Sequence, residues 1–119
     1  MTLEKDILKH VVTAAKELGL RPLRISMRPG VEVGWPDTFV FGPNRHLIGI
    51  ETKRPGQDPT PIQVERAKTM LAYGFAWAKC DTKADVEYAL YSFAKFAIDE
   101  KPMAREKFME YHNAKQRMH

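Results

Sequence analysis

Apolar side chains recur at helical spacing near the start of the chain. They fall three or four residues apart, which is the repeat of one face of a helix. These positions are Leu3, Ile7, Val11, Ala14, Ala15 and Leu18. The pattern predicts an amphipathic helix over residues 3–18, with Thr2 as its N-cap and Gly19 as its stop.

Three strands are predicted after this helix. Apolar and polar residues alternate over residues 23–28, which predicts a strand that a Pro-Gly pair ends. Two further apolar runs, residues 38–41 and 46–50, flank the turn-like sequence of residues 42–45. Together they predict a β-hairpin.

The register of this hairpin decides which polar side chains share a face. Opposite residues of an antiparallel pair have a constant sum of their numbers, so a turn centred on Asn44 places Asp37 opposite Glu51. Lys53 then points to the same face as Glu51, whereas Thr52 points away. The register requires a connection of odd length or a bulge, because a two-residue loop would send Asp37 to the other face.

The second half of the chain predicts a helix, a strand and further helices. The sequence Thr60-Pro61-Ile62-Gln63 is typical of a helix start, with Gln63 completing a capping box, and Gly74 ends that helix after about residue 73. A strand over residues 75–80 follows, and the intervening helix makes it parallel to the strand that carries Glu51. Helices over about 82–98 and 102–116 complete an α/β layered domain.

Composition and charge narrow the class of protein. The chain has 119 residues, a formal net charge of +4 and one cysteine, Cys80. A mildly basic balance suits a nucleic-acid partner but is shared by many unrelated proteins. One cysteine excludes a disulfide framework and a cysteine-based zinc site. No apolar stretch approaches the roughly 20 residues that span a membrane, and no signal-peptide pattern opens the chain, so we expect a cytoplasmic protein without a membrane partner.

Two carboxylates and an ammonium group are predicted to meet at one end of the hairpin. Asp37, Glu51 and Lys53 could there hold a divalent metal and position a water, which is a site for cutting phosphodiesters. Each motif alone is also typical of solvated charges at a sheet edge. The helix dipole favours an acidic residue such as Glu4 in a first turn, and capping alone accounts for Gln63.

Three motifs together resemble the VRR-NUC domain of the PD-(D/E)XK nuclease superfamily, in the stand-alone form found in phages. They are Gly34-Trp35-Pro36-Asp37, Ile50-Glu51-Thr52-Lys53-Arg54-Pro55-Gly56 and Thr60-Pro61-Ile62-Gln63. The resemblance covers about residues 3–80. It implies a restriction-endonuclease-like α-βββ-α-β core, with a mixed central sheet flanked by helices, inside a single domain of residues 1–119. Residues from about 82 to 117 would form its helical C-terminal extension.

The resemblance also implies roles for individual residues. Asp37 and Glu51 look like the metal-binding carboxylates of the family. Lys53 looks like the lysine that orients or activates the attacking water, and Gln63 looks like the helix-borne glutamine that supports the active site. Lys53 and Arg54 are also the residues expected to contact the nucleic acid, and the alternative for Arg54 is an exposed loop cation without a role.

Two further metal ligands follow from the same resemblance. Glu4 resembles the N-terminal acidic residue that completes the metal shell, although Asp6 or Glu32 could be confused with it. The backbone carbonyl of Thr52 would be the remaining protein ligand.

The activity that the resemblance implies is metal-dependent cleavage of DNA. Mg²⁺ would be the cofactor, with Mn²⁺ able to substitute and no small-molecule cofactor. The resemblance to stand-alone phage VRR-NUC domains further implies a homodimer that acts on branched DNA such as Holliday junctions, in the host bacterial cytoplasm if the protein is phage-encoded. A general repair or restriction-type endonuclease, or a non-catalytic DNA-binding module on the same fold, remain the alternatives.

Overall fold

A computed structural model describes residues 3–25 and 32–98 of the chain. The predicted order of helix, three strands, helix, strand and helix is confirmed within these residues. The elements are α1 (Glu4–Glu17), β1 (Arg21–Arg24), β2 (Thr38–Phe41), β3 (Leu47–Thr52), α2 (Pro61–Ala72), β4 (Ala76–Cys80) and α3 (Lys83–Ile98). The helix predicted over residues 102–116 lies outside the described residues.

The strands form one mixed sheet in the order β1-β2-β3-β4. The pairs β1–β2 and β2–β3 are antiparallel, whereas β3 and β4 are parallel because α2 crosses over between them. The fold is therefore the α/β, restriction-endonuclease-like core that the sequence predicts. No helix in residues 3–25 and 32–98 is both long and apolar enough to cross a membrane.

The connection between β2 and β3 has the odd length that the predicted register requires. The Gly42 N–H donates to the carbonyl of His46 at 3.0 Å, which leaves residues 43–45 as the connection. Asn44 and Arg45 adopt φ values of 58° and 66°, in the left-handed region that lets so short a loop reverse the chain.

The register of β2 and β3 is the predicted one. Thr38 lies opposite Ile50, and every other pair in the ladder keeps the same sum of residue numbers. One step beyond the ladder, the same register places Asp37 beside Glu51.

Two predicted boundaries are wrong. Strand β1 covers Arg21–Arg24, so it begins two residues before the predicted start at residue 23, because pairing with β2 sets where it begins. Its position at the edge of the sheet allows it to include Pro22. The predicted end of this strand, over residues 26–28 and the following Pro-Gly pair, lies outside the described residues. The N-cap of α1 is Leu3 rather than Thr2, and the Leu3 N–H donates to Asp6 Oδ2 at 3.3 Å.

The sheet has two differently covered faces. On the first, here called the closed face, α1 and α3 pack on side chains such as Val40, Ile48 and Ile50, none of which is exposed. On the second, here called the site face, α2 contributes a smaller apolar cluster around Met70 and Trp77. Gly49 is required there, since a Cβ at that position would lie 2.6 Å from the Pro36 side chain.

Candidate active site

A buried glutamate lies at the end of β3. Glu51 is only 2% exposed, although a carboxylate is normally at the surface. Its Oε1 accepts a hydrogen bond from Gln63 Nε2 at 2.8 Å. Its Oε2 is buried and, among the described residues, receives no hydrogen bond. One oxygen of a buried carboxylate is thus left without the donor that such a group normally has.

The surroundings of Glu51 favour its protonated form. The pKa of Glu51 is raised from its ordinary 4.5 to about 8. Burial is the largest cause, the neighbouring charge of Asp37 is the next and that of Glu4 adds a smaller increment, whereas the charge of Lys53 acts in the opposite direction. The carboxyl groups of Asp37 and Glu51 can hydrogen-bond to each other only when one of them carries a proton. At neutral pH this pair therefore needs either a shared proton or a cation.

Asp37 is held by a single residue of β3. The backbone N–H of Thr52 donates to Asp37 Oδ2 at 2.8 Å, and the Thr52 hydroxyl donates to the same oxygen at 2.7 Å. The prediction that Thr52 points away from this pair is wrong. Strand alternation fixes where each Cβ emerges, but Asp37 lies just before β2, and alternation does not decide where the carboxylate at that position ends.

Lys53 follows directly after β3 and is also buried. The residue is only 7% exposed. Its backbone N–H donates to the Cys80 carbonyl at 3.0 Å, which continues the pairing with β4. The positive charge of its ammonium lowers the pKa of Glu51. The structure thus places Lys53 within electrostatic reach of the acidic pair.

Gln63 joins the helix cap to the acidic pair. Its Oε1 accepts from the Thr60 N–H at 2.8 Å, and its own N–H donates to Thr60 Oγ1 at 3.4 Å, so the predicted capping box is present. Its Nε2 then donates to Glu51. Gln63 can therefore both cap α2 and support the acidic pair. The cap holds the side-chain amide so that its NH₂ group faces Glu51.

Glu4 lies near this group but does not complete a cluster with it. It is the first residue of α1, and its charge contributes to the raised pKa of Glu51. Within the described ranges, no three His, Cys, Asp or Glu side chains gather into a metal-binding group. Asp6 caps α1 and Glu32 accepts from Trp35 Nε1 at 3.1 Å, so both alternatives to Glu4 have partners elsewhere.

Arg54 is exposed in the loop that leaves the site. This loop turns tightly, with the Gln57 N–H donating to the Arg54 carbonyl at 2.9 Å. Asp81 fixes it to the end of β4 by accepting from the Gly56 N–H at 3.0 Å. Arg54 therefore follows Lys53 in sequence as an exposed residue on an anchored turn.

Arg66 is a residue of this region that the sequence did not single out. Its Nε donates to the Val33 carbonyl at 3.0 Å, and its guanidinium lies 5.0 Å from the centre of the Trp35 ring. It thereby docks the segment that leads to Asp37 on α2. The feature of the sequence that could have pointed to Arg66 is its position one helical turn after Gln63, on the same side of α2.

The donors in this group suit a hard divalent cation. Mg²⁺ prefers carboxylate and carbonyl oxygens, and it resists sites built from sulfur or imidazole. The acidic pair supplies such oxygens, and the buried Oε2 of Glu51 without a donor is a position that a cation would satisfy. The residues present therefore fit Mg²⁺.

The fold and this site define a restriction-endonuclease-like α/β protein with an acidic pair and a lysine at one end of its sheet. No family model matches the sequence. The chain is 35% identical over 71 residues to "Putative nuclease p44" of Acyrthosiphon pisum secondary endosymbiont phage 1, an alignment that covers 60% of this chain and 74% of that protein. The chain therefore belongs to the family of this phage protein, which is a nuclease family.

Proposed function

We propose that the protein is a metal-dependent DNA endonuclease whose active site is formed by Asp37, Glu51, Lys53 and Gln63. One observation carries the proposal: Glu51 is buried beside Asp37 with one oxygen on Gln63 and the other without a donor among the described residues. Isolated buried charge is costly, so a carboxylate kept in this arrangement needs a compensating group. A divalent cation on the acidic pair is that group in the proposed enzyme.

The metal ligands in the proposal are Asp37, Glu51 and the backbone carbonyl of Thr52, with Glu4 as a further acidic group nearby. When bound, Mg²⁺ or Mn²⁺ would polarise the scissile phosphate and lower the pKa of a bound water. The protein itself fixes the ligands: Thr52 holds Asp37, and Gln63 holds Glu51.

The cationic side chains have separate roles in the proposal. Lys53 supplies a buried positive charge at the place where negative charge develops on the phosphate, which is the kind of electrostatic stabilisation that lowers a reaction barrier. Arg54 contacts a neighbouring phosphate from the exposed loop. The net charge of +4 favours association with a polyanion.

For the substrate, we propose branched DNA of the Holliday-junction type, cut by a homodimer in the cytoplasm of the host bacterium. The support is the resemblance to stand-alone VRR-NUC domains together with a relative named as a phage nuclease. A two-fold dimer would supply the two active sites that symmetric cleavage of a four-way junction requires.

The test compares linear duplex, flap and four-way junction DNA with Mg²⁺, Mn²⁺ or a chelator, using the full chain and an Asp37→Ala control. We expect cleavage only with a divalent ion, fastest on the junction, and none by Asp37→Ala, which should still bind DNA. Equal cleavage rates on all three substrates would show a general endonuclease instead of a junction-specific resolvase. Binding without any cleavage would identify a non-catalytic module.

A further inference from the structure

Thr52 donates two hydrogen bonds to Asp37, one from its backbone N–H and one from its hydroxyl. Thr52 is 1% exposed, and its Oγ1 lies 2.7 Å from Asp37 Oδ2. The backbone N–H of the same residue donates to the same oxygen at 2.8 Å. Both bonds go to an anionic acceptor, which makes them stronger than bonds between neutral groups.

Both donors act on one oxygen of Asp37. An amide on the rigid ladder of β3 and a hydroxyl on the same residue define two directions, so they fix the rotation of the carboxyl group as well as its position. Neither of these two bonds involves the other oxygen of Asp37, Oδ1.

We infer that Thr52 is a positioning residue, whose hydroxyl holds Asp37 so that its Oδ1 is available to a divalent cation shared with Glu51. The inference rests on the proposed function, and it goes further by assigning a role to a side chain that the sequence motif leaves open. Groups that hydrogen-bond to metal-ligating carboxylates typically alter metal affinity by roughly 10- to 100-fold when removed.

The chain offers a matched control for this hydroxyl. Thr38 is also fully buried in the strand next to β3, but its Oγ1 has no hydrogen-bond partner among the described residues. Replacing either threonine by valine keeps the side-chain shape and removes one hydroxyl. Only the Thr52 substitution removes a bond to Asp37.

The experiment measures Mn²⁺ binding to the DNA-free protein by calorimetry, and cleavage of the best DNA substrate on the same samples. Thr52→Val should weaken Mn²⁺ binding about tenfold or more and lower cleavage at subsaturating metal. Thr38→Val should bind Mn²⁺ like the wild type. Thr52→Ser, which keeps the hydroxyl, should retain affinity, whereas Thr52→Ala should lose it, and this second pair serves if valine disturbs folding.

Two results would overturn the inference in distinguishable ways. Wild-type affinity in Thr52→Val and Thr52→Ala would show that the hydroxyl does not position Asp37, while leaving the proposed nuclease intact. A wild-type protein that binds no Mn²⁺ and cuts no DNA would refute the proposed function, and the role of Thr52 with it.

Discussion

The two faces of the sheet differ in how their buried groups are satisfied. The closed face is packed with apolar side chains from α1, α3 and the strands, with Phe93 and Ile50 among those fully buried. The site face carries a smaller apolar cluster and, beside it, the buried Glu51 and Lys53. The closed face therefore buries apolar side chains, which is favourable, whereas the site face also buries charged groups, whose loss of hydration costs free energy.

This difference indicates a division between stability and chemistry. Apolar burial on the closed face stabilises the fold, and each large side chain there contributes about 1.5–3 kcal/mol. A buried carboxylate oxygen without a donor, such as Oε2 of Glu51 among the described residues, lowers stability unless a proton or cation joins it. Such a cost is expected where a site is arranged for a ligand rather than for the folded protein alone.

The largest expected effect on stability comes from the closed face. Phe93 is 1% exposed and its ring contacts His46 edge-on, so Phe93→Ala should lower the free energy of unfolding by about 3–5 kcal/mol. Phe39→Ala on the site face removes the same side chain from a half-buried position and should cost clearly less. Urea unfolding measures both values. Equal losses would contradict the division between the faces.

The next effect is on the rate of cleavage. Lys53→Met should lower kcat by about 10²–10³-fold, since it removes a charge aimed at the reacting phosphate. Lys79→Met is the matched control, because Lys79 lies beside Glu51 in the β3–β4 pairing but forms an ion pair with Asp81 at 3.5 Å. Single-turnover rates with saturating Mg²⁺ give the comparison. If both variants lose the same activity, the specific role of Lys53 is wrong.

The pH dependence of stability should reveal the buried carboxyl group. Because the pKa of Glu51 is about 8 in the folded protein and near 4.5 when unfolded, the folded state holds the extra proton between these values. The contribution of Glu51 to stability is fully present below pH 4.5 and is lost as the pH rises through about 8. The slope from this group is at most about 1.4 kcal/mol per pH unit.

Glu51→Gln is the variant that isolates this titration. In the presence of a chelator, the wild type should lose stability between pH 5 and 8 by more than Glu51→Gln does, as measured by chemical unfolding at each pH. Parallel curves of stability against pH for the two proteins would show that the pKa of Glu51 is not raised in the folded protein.

The smallest predicted effect concerns the segment that leads to Asp37. Arg66→Met removes a hydrogen bond to Val33 and a cation–π contact with Trp35, so it should lower stability by about 1 kcal/mol and cleavage by a few-fold. Lys68→Met, which breaks an exposed pair with Glu65 on the same helix, should change stability by less than about 0.5 kcal/mol. Thermal unfolding of the two variants decides between these expectations.

The sequence predicts the hairpin because its determinants are local. The turn around Asn44 and the apolar runs on either side fix the register, and the register brings Asp37 next to Glu51. The cap at Thr60 likewise fixes where α2 begins, and with it the position of Gln63. The structure confirms these elements.

The contacts that support the site depend on how distant segments meet. Neither the bond from the Thr52 hydroxyl to Asp37 nor the docking of Arg66 on Val33 follows from residue spacing. The predicted start of β1 was wrong for a related reason, since alternation shows that a strand exists but pairing with β2 decides where it begins. Glu4 as a metal ligand stays a prediction.

The most direct test of the acidic pair as a metal-dependent active site is single-turnover DNA cleavage by the wild type and Glu51→Gln, with DNA binding measured on the same samples. The variant keeps the shape of the side chain and removes its charge. We predict that the wild type cuts only when Mg²⁺ or Mn²⁺ is added, and that Glu51→Gln binds DNA as tightly but cuts at least about 10³-fold more slowly. Undiminished cleavage by Glu51→Gln, or cleavage by the wild type in excess chelator, would contradict the proposed mechanism.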